Sequence, residues 1–269
     1  MISSLANGRV KHVVELREKA KTRNKEGLFL VEGFKMFEEA PEELIKEVYI
    51  EESVYAKMKE CPSSTPSHLL LQCFEKLQSL MQNGVIVEEV TSEVMRKISD
   101  TETPQGVLAV LSQMTYSLKD VMGGNILILE DIQDPGNLGT MVRTGEGAGI
   151  SGIVMTKGCV DIFNPKTIRS TMGSLYRVPF VTVSDLKEAV EELKKTGTKV
   201  YAAHLKGVHY YNDIHYGLSS AFMIGNEGNG LKDETAALAD EYIIIPMDGK
   251  LESLNAAVAA ALLMYEARK

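Results

Sequence analysis

Asn125-Ile126-Leu127-Ile128-Leu129-Glu130 is an apolar run closed by a carboxylate, and it leads within a few residues into Asp134-Pro135-Gly136-Asn137-Leu138-Gly139. A run with no polar alternation is the pattern of a strand buried on both faces of a parallel sheet. Outward from it, the same kind of run recurs at Gly152 to Thr156, Pro179 to Val183, Lys199 to Ala203, Ala221 to Gly225 and Tyr242 to Pro246. Helical patterns lie between, among them Thr140 to Ala148, Leu186 to Lys195 and Leu254 to Ala267. Strand and helix alternating at this spacing predict an α/β fold, a mostly parallel sheet with helices on both faces.

Upstream, the chain alternates on a different rhythm. A helix is expected near Val10 to Ala20, a strand at Leu28 to Glu32, a helix to Ala40 and a strand at Glu47 to Glu51. Leu69 to Met81 reads as a helix, Val85 to Glu89 as a strand, Ser92 to Ile98 as a helix and Gly106 to Leu111 as a strand. The segment from Cys61 to Ser67, with two prolines and three serines, reads as an exposed loop. Periodicity lapses around Ser112 to Gly124, so the expected organisation is a domain over residues 1–112, a linker over 113–124 and a second domain over 125–269.

Composition excludes several classes. No apolar stretch approaches the roughly 20 residues that span a bilayer, and Met1 to Arg9 lacks the apolar core of a secretory signal, so a cytoplasmic protein is expected. The three cysteines are odd in number and widely spaced, which offers neither a disulfide framework nor a metal knuckle. There is no HExxH among the histidines, and no metal is expected. A net charge of −8 rules out a uniformly basic coat, but a nucleic acid meets one face only. Arg9, Lys11, Arg17, Lys19, Lys21, Arg23 and Lys25 are opposed locally by Glu15 and Glu18 alone. This basic excess is either a solvated helix face or a phosphate-contacting one, with Arg9, Lys11, Arg23 and Lys25 as the candidate contacts.

Three blocks carry the polar chemistry: Asp134 to Gly139 with Arg143, Gly225-Asn226-Glu227-Gly228-Asn229-Gly230, and Ile245-Pro246-Met247 with Ser253-Leu254-Asn255. Each sits where an apolar run gives way to a helical pattern, the place where open α/β sheets bind ligands. The glycine block does not have GxGxxG spacing, and no GxxxxGK[ST] loop occurs, which disfavours dinucleotide and nucleoside triphosphate chemistry. It reads either as a turn built for geometry or as a binding loop, and Glu227 favours the second because a carboxylate in a tight apolar-flanked loop is costly without a partner. Ser253 and Asn255 read as caps of the following helix, and the loop before them aims polar side chains and free helix N–H groups at one spot. Asn137 is expected on a loop and Arg143 in the first turns of a helix, where Glu146 offers an i, i+3 ion pair as the alternative to a functional role. No hydrolytic triad is present, so the chemistry implied is that of positioning.

Together these blocks resemble the SpoU, or TrmH-like, branch of the SPOUT methyltransferases, which move a methyl group from S-adenosylmethionine to a ribose 2′-hydroxyl of RNA. Asp134-Pro135-x-Asn137-Leu138-Gly139 with Arg143 resembles the first motif and Ser170-x-x-Gly173 the middle region. Gly225-x-Glu227-Gly228-x-Gly230-Leu231, Ile245-Pro246-Met247 and Ser253-Leu254-Asn255 resemble the remainder, in order. Phe29-Leu30-Val31-Glu32-Gly33 and Thr103-Pro104-Gln105-Gly106-Val107-Leu108-Ala109 are similar to the α/β substrate-binding domain often fused ahead of that catalytic domain, itself like certain ribosomal proteins. One departure is Ala256 directly after Asn255, where relatives commonly carry a β-branched residue.

The resemblance implies a ribosomal-protein-like RNA-binding domain followed by a SPOUT domain with a deep trefoil knot, working as a homodimer without metal. It implies S-adenosylmethionine held by Ile224, Gly225, Gly228, Ile245, Met247, Ser253, Leu254 and Asn255, with Arg143, Asn137, Glu227, Ser253 and Asn255 as the catalytic set. Arg143 is also expected to meet the RNA. The family proposal makes this arginine the base, yet deprotonating a guanidinium at pH 7 costs about 7.5–9 kcal/mol before any environmental shift. Stabilising the developing alkoxide is the less demanding role. The fused N-terminal domain favours 23S rRNA as substrate; a tRNA substrate and a catalytically silent RNA-binding or ribosome-assembly protein are the alternatives.

Overall fold

In the computed structural model, which describes residues 1–60, 68–251 and 253–268, the chain divides into two compact units. The first comprises Met1–Met114 and Phe163–Tyr176, the second Thr115–Ile162 and the residues from Arg177 onward. The expected loop from Cys61 to Ser67 lies outside the described residues.

The first unit runs α1 (Gly8–Glu18), α2 (Ala20–Glu26), β1 (Leu28–Glu32), α3 (Phe34–Glu39), β2 (Ile45–Glu51), α4 (Glu52–Glu60), α5 (His68–Gln82), β3 (Ile86–Val90), α6 (Ser92–Ile98) and β4 (Val107–Ser112). Its four-stranded sheet has the order β1-β4-β2-β3. β4 is antiparallel to both its neighbours, and β2 pairs parallel to β3. Val10, Val13 and Leu16 of α1 pack with Val94, Met95 and Ile98 of α6 over Leu30, Tyr49 and Leu108 of the sheet.

The single helix expected from Val10 to Ala20 is interrupted at Lys19, which takes an extended conformation and donates its N–H to the Glu15 carbonyl. The residues after it, for which the pattern gives no element, form a second helix, α2. Its Arg23 turns back, and one guanidinium nitrogen donates to the carbonyls of Leu16 (2.7 Å) and Arg17 (3.0 Å). Those are among the carbonyls that the end of α1 leaves without helical partners. α4 is a further departure from the expected elements, for it buries only Tyr55 and Met58 and shows little apolar stripe.

The second unit opens with a 3-10 turn, Leu118–Val121, and continues as β5 (Ile126–Leu129), α7 (Pro135–Ala148) and β6 (Gly152–Thr156). α8 (Pro165–Thr171) follows in the chain, then β7 (Phe180–Val183), α9 (Leu186–Lys195), β8 (Lys199–Ala203), β9 (His209–Tyr210), β10 (Ser220–Ile224), α10 (Asp233–Ala236), β11 (Glu241–Ile244) and α11 (Ala256–Glu266). Seven strands form one sheet in the order β7-β6-β5-β10-β8-β11-β9. Every pairing in it is parallel.

On one face Ile126, Ile128, Val200, Ala202, Ala221 and Met223 meet Ala189, Val190 and Leu193 of α9 and Ala236 of α10. The alternate residues Leu127, Leu129, Phe222 and Ile224 are equally buried, as period-two strands covered on both faces require. α7 and α11 pack against each other, and α11 against β10. Val121 belongs to the same core, so the stretch 113–124, expected as a linker, contributes a buried turn to this unit.

The segment Phe163–Tyr176, expected within the second domain, packs in the first unit instead. The Phe163 ring lies 4.9 Å from that of Phe29, Arg169 pairs with Asp100 at 2.5 Å, and the Tyr176 hydroxyl donates to the Met36 carbonyl at 2.9 Å. Ser170 and Gly173 go with it. Among the described residues no helix is long and apolar enough to cross a membrane.

Candidate active site

β5, β10, β8 and β11 lie side by side, and the loops leaving their C-terminal ends build one site. After β5 the chain turns into α7 earlier than expected. Asp134 is the N-cap, its carboxylate accepting the Asn137 N–H at 2.8 Å, and Pro135 occupies the first turn, where its missing N–H costs nothing. Asn137 therefore lies in the first helical turn and not on the loop. The cap and proline start the helix despite the glycines that follow.

After β10 the chain doubles back on itself. The N–H of Asn226 donates to the Gly230 carbonyl (3.1 Å), and the N–H of Gly230 donates to the Asn226 carbonyl (2.8 Å). A side chain at Gly225 would place Cβ 2.1 Å from the Gly230 carbonyl carbon, so this close approach requires glycine. Asn226, which the sequence pattern does not single out, fastens the loop. Its Oδ1 accepts from the N–H groups of Gly228 (3.0 Å) and Asn229 (3.1 Å), and its Nδ2 donates to the Asp131 carbonyl (2.9 Å).

The loop thereby presents Glu227 to the start of α7. One carboxylate oxygen accepts from the Asp134 N–H and from Asn137 Nδ2, both at 3.0 Å, and the other from the Gln133 N–H at 3.1 Å. Partial desolvation opposes ionisation of Glu227, but the hydrogen bonds from Asn137, Gln133 and Asp134 outweigh it and hold the carboxyl below its ordinary value. Asn137 passes the constraint on, because its Oδ1 accepts from Asn255 Nδ2 at 3.0 Å. The Asn255 Oδ1 caps α11, accepting from the N–H groups of Ala257 (2.8 Å) and Val258 (3.3 Å). These helix N–H groups, expected free to meet a ligand, are thus taken by the cap. The chain Glu227–Asn137–Asn255 joins all three sequence blocks, and each amide in it has a single orientation that satisfies its neighbours.

Charges behind the loop keep it in place. Asp131 sits at φ 53°, a left-handed conformation uncommon outside glycine. Its carboxylate accepts from Lys232 Nζ at 2.7 Å and from the Thr156 hydroxyl at 2.8 Å, and these two bonds, Lys232's first, lower its pKa against slight desolvation. Glu130, buried just past the end of β5, accepts from the Lys232 N–H (2.9 Å) and the Thr235 hydroxyl (2.5 Å). The signal for these residues is positional: each stands just beyond the end of a strand or in the glycine loop's exit.

A cavity of about 320 Å³ opens beside the relay. Of the expected cofactor residues, Ile224, Gly225 and Gly228 line it from β10 and its loop, Ile245 and Met247 from the segment after β11, and Ser253 and Leu254 from the approach to α11. Glu227 lines it as well, whereas Asn255 and Asn137 stand behind in the relay. His204, at the end of β8, is a lining residue that no sequence motif marks.

Arg143 is not among the lining residues. It is exposed on α7 and makes no hydrogen bond or ion pair with another described residue. Glu146, its candidate partner, is engaged by Arg177, whose Nη2 donates to it at 3.1 Å.

In the first unit the basic N-terminal residues separate by role. Arg23 is 2% exposed and serves α1 as described, which removes it from the expected RNA contacts. Arg9 pairs with Glu88, Arg17 donates to the carbonyls of Lys97 (2.8 Å) and Ser99 (2.7 Å), and Lys19 pairs with Glu15 at 2.9 Å. Lys11, Lys21 and Lys25 are exposed without such engagement. Cys73 is fully buried, and burial pushes its thiol up to about 12.

Comparison with known proteins finds family matches over both parts of the chain. The SpoU rRNA Methylase family matches residues 124–265, and the MRM3-like substrate binding domain matches residues 7–109. The 23S rRNA (guanosine(2553)-2′-O)-methyltransferase RlmP of Bacillus subtilis is 34% identical over 269 residues, covering 99% of this chain and 98% of the relative. A crystal structure of an rRNA methyltransferase from Sinorhizobium meliloti superposes with a TM-score of 0.84 at 29% identity, over 99% of this chain and 96% of that one. The AdoMet-bound rRNA methyltransferase from the same organism gives a TM-score of 0.84 at 28% identity with the same coverage. With its three blocks gathered at one edge of a parallel sheet and its full length matched by these relatives, this chain belongs to the SpoU rRNA methylase family.

Proposed function

We propose that this chain transfers a methyl group from S-adenosylmethionine to a ribose 2′-hydroxyl of 23S ribosomal RNA. The observation that carries the reading is the Glu227–Asn137–Asn255 relay, which aligns three loops around one cavity. The cavity volume falls in the range of small-molecule sites, roughly 300–1,000 Å³. Apolar walls from Ile224, Ile245, Met247 and Leu254 suit an adenosyl group, and the bare backbone at Gly228 allows close approach. Bound there, S-adenosylmethionine supplies an electrophilic methyl on a sulfonium.

The residues of the chain would orient the ribose hydroxyl toward that group, with its proton released to solvent. Ser253, at the cavity edge, and Asn137 hold the ribose. Glu227 and Asn255 fix the Asn137 amide, since losing either partner leaves it free to rotate. Arg143 stabilises the developing alkoxide and the adjacent phosphate as a permanent cation. Its position outside the cavity lining supports a homodimer in which a second copy brings Arg143 to the site. The insertion of β10 between β5 and β8 agrees with a knotted chain in this region. Lys11, Lys21 and Lys25 contribute phosphate contacts, and the reaction belongs to the cytoplasm, where ribosomal RNA is made and assembled.

The test is methylation of 23S rRNA from cells lacking the gene, with purified protein and S-adenosylmethionine, followed by mapping of ribose methylation. One new 2′-O-methyl site is expected. Modification of tRNA alone would reassign the substrate, and RNA binding with no transfer to any RNA would leave an assembly factor.

A further inference from the structure

We infer that His204 is a donor-binding residue, its ring Nε2–H directed at an acceptor oxygen of the bound methyl donor, either in the nucleoside ribose or in the amino-acid carboxylate. This rests on the proposed use of the cavity as the S-adenosylmethionine site. Among the described lining residues only Glu227 and His204 carry titratable side chains, and the Glu227 carboxylate already accepts three hydrogen bonds from its own chain. His204 is therefore the polar ring with capacity to spare at this wall.

Its proton is placed by its neighbours. The Lys206 N–H donates to His204 Nδ1 at 3.1 Å, so in the neutral imidazole Nδ1 is the acceptor and the hydrogen resides on Nε2. The ring also lies against Tyr242, centroids 5.0 Å apart and planes tilted by 36°. The backbone beneath is clamped: the His204 N–H donates to the Ile243 carbonyl (3.0 Å), and the Gly207 N–H closes a turn onto the His204 carbonyl (2.9 Å). A Cβ at Gly207 would lie 2.7 Å from the Ile243 carbonyl carbon, so the turn is pressed directly onto β11. A half-buried ring held on one nitrogen, on one face and through its backbone has a single N–H left to offer, and the residue lines the cavity. Such a pre-oriented donor adds affinity because little freedom is lost when it binds.

The test is calorimetric binding of S-adenosylhomocysteine and of 5′-methylthioadenosine, which lacks the amino-acid carboxylate, to four forms of the full chain. His204→Phe keeps the contact with Tyr242 and removes both nitrogens. His204→Asn keeps an acceptor for the Lys206 N–H but reaches too short, and His204→Gln restores an N–H near the Nε2 position. The expected order of S-adenosylhomocysteine affinity is wild type, then Gln, then Phe and Asn together about 10-fold or more weaker, the magnitude of a lost neutral hydrogen bond. If methylthioadenosine loses the same factor, the acceptor is in the ribose; if it loses nothing, the acceptor is the carboxylate, and both outcomes support the assignment. Wild-type-like binding of both ligands by the Phe and Asn variants, with unchanged melting temperatures, would overturn it. A wild-type protein that binds neither ligand would instead remove the cavity's assignment as the donor site.

Discussion

Asn255 and Asn137 stand 118 residues apart in the chain, yet the side-chain amide of one donates to that of the other across 3.0 Å. The contact ties the first turn of α11 to the first turn of α7, and through Glu227 it reaches the loop after β10. Replacing Asn137 by Ala breaks both arms at once while leaving the cavity lining intact. We expect kcat to fall by about 100-fold or more, the scale seen when a positioned polar group is removed from a transition state, with S-adenosylhomocysteine affinity within a few fold. Asn137→Asp sets a second carboxylate against Glu227 and should lower the melting temperature more than Asn137→Ala. Kinetics, calorimetry and thermal denaturation of the two variants check these outcomes.

Arg143→Ala should abolish methyl transfer with cofactor affinity within a few fold, since Arg143 does not line the cavity. The pH–rate profile separates two roles. A guanidinium acting as base makes the rate climb with pH through neutrality, whereas one acting as a fixed cation adds no such dependence.

Gly225→Ala forces a methyl into backbone, where a Cβ would lie 2.1 Å from the Gly230 carbonyl carbon and 2.2 Å from the Leu231 nitrogen. No flexible side chain is there to yield, so the loop must open. Loss of the thermal stabilisation normally produced by S-adenosylhomocysteine is the expected result. A variant that keeps the full shift would show that the loop tolerates displacement.

Acid should dismantle the relay before it unfolds the sheet. The Glu227 carboxyl is held below its ordinary value of 4.5, so the folded loop binds fewer protons than the free chain. Its contribution is complete above that value and is lost as pH falls through the lower folded value. Asp131 behaves in the same sense from an ordinary value of 3.8. S-adenosylhomocysteine affinity in wild type should therefore be flat down to about pH 4.5 and fall only below it. Glu227→Gln should bind more weakly at neutral pH and show less of that acid loss.

The basic residues of the first unit should divide into two groups. Lys11→Glu and Lys25→Glu are expected to weaken RNA binding, each reducing the salt dependence by about one unit of slope, with little change in melting temperature. Arg23→Met, in contrast, leaves the carbonyls at the end of α1 without their donor and should cost about 1–3 kcal/mol of stability, read from denaturant unfolding.

The parallel sheet is legible in the sequence because a strand covered on both faces must be apolar throughout, and Ile126–Leu129 and Ser220–Ile224 are nearly so. The glycine loop is legible because Gly225 permits an approach that no other residue does. At Asn137 the pattern misleads: four glycines at 136, 139, 145 and 147 weaken the helical signal of α7, and the Asp134 cap with Pro135 overrides them. His204, Asn226, Asp131 and Lys232 leave no signal of their own, because single residues beyond strand ends become significant only when strand order is known. The order β5-β10-β8-β11 is a tertiary fact with no local trace. The placement of Phe163–Tyr176 in the first unit is hidden for the same reason, since its anchors Phe29, Met36 and Asp100 lie far upstream.

The walls of the cavity are drawn from residues between Ala203 and Ala259, so on a translating ribosome they emerge after the four strands of the first unit's sheet. A nascent chain that has already folded its first four strands, and carries Lys11 and Lys25 on its surface, owns no pocket for a methyl donor until α11 is made. If those lysines meet nucleic acid, contact is temporally separable from chemistry, and we expect a premature stop anywhere before Asn255 to give a null allele instead of a weakened enzyme.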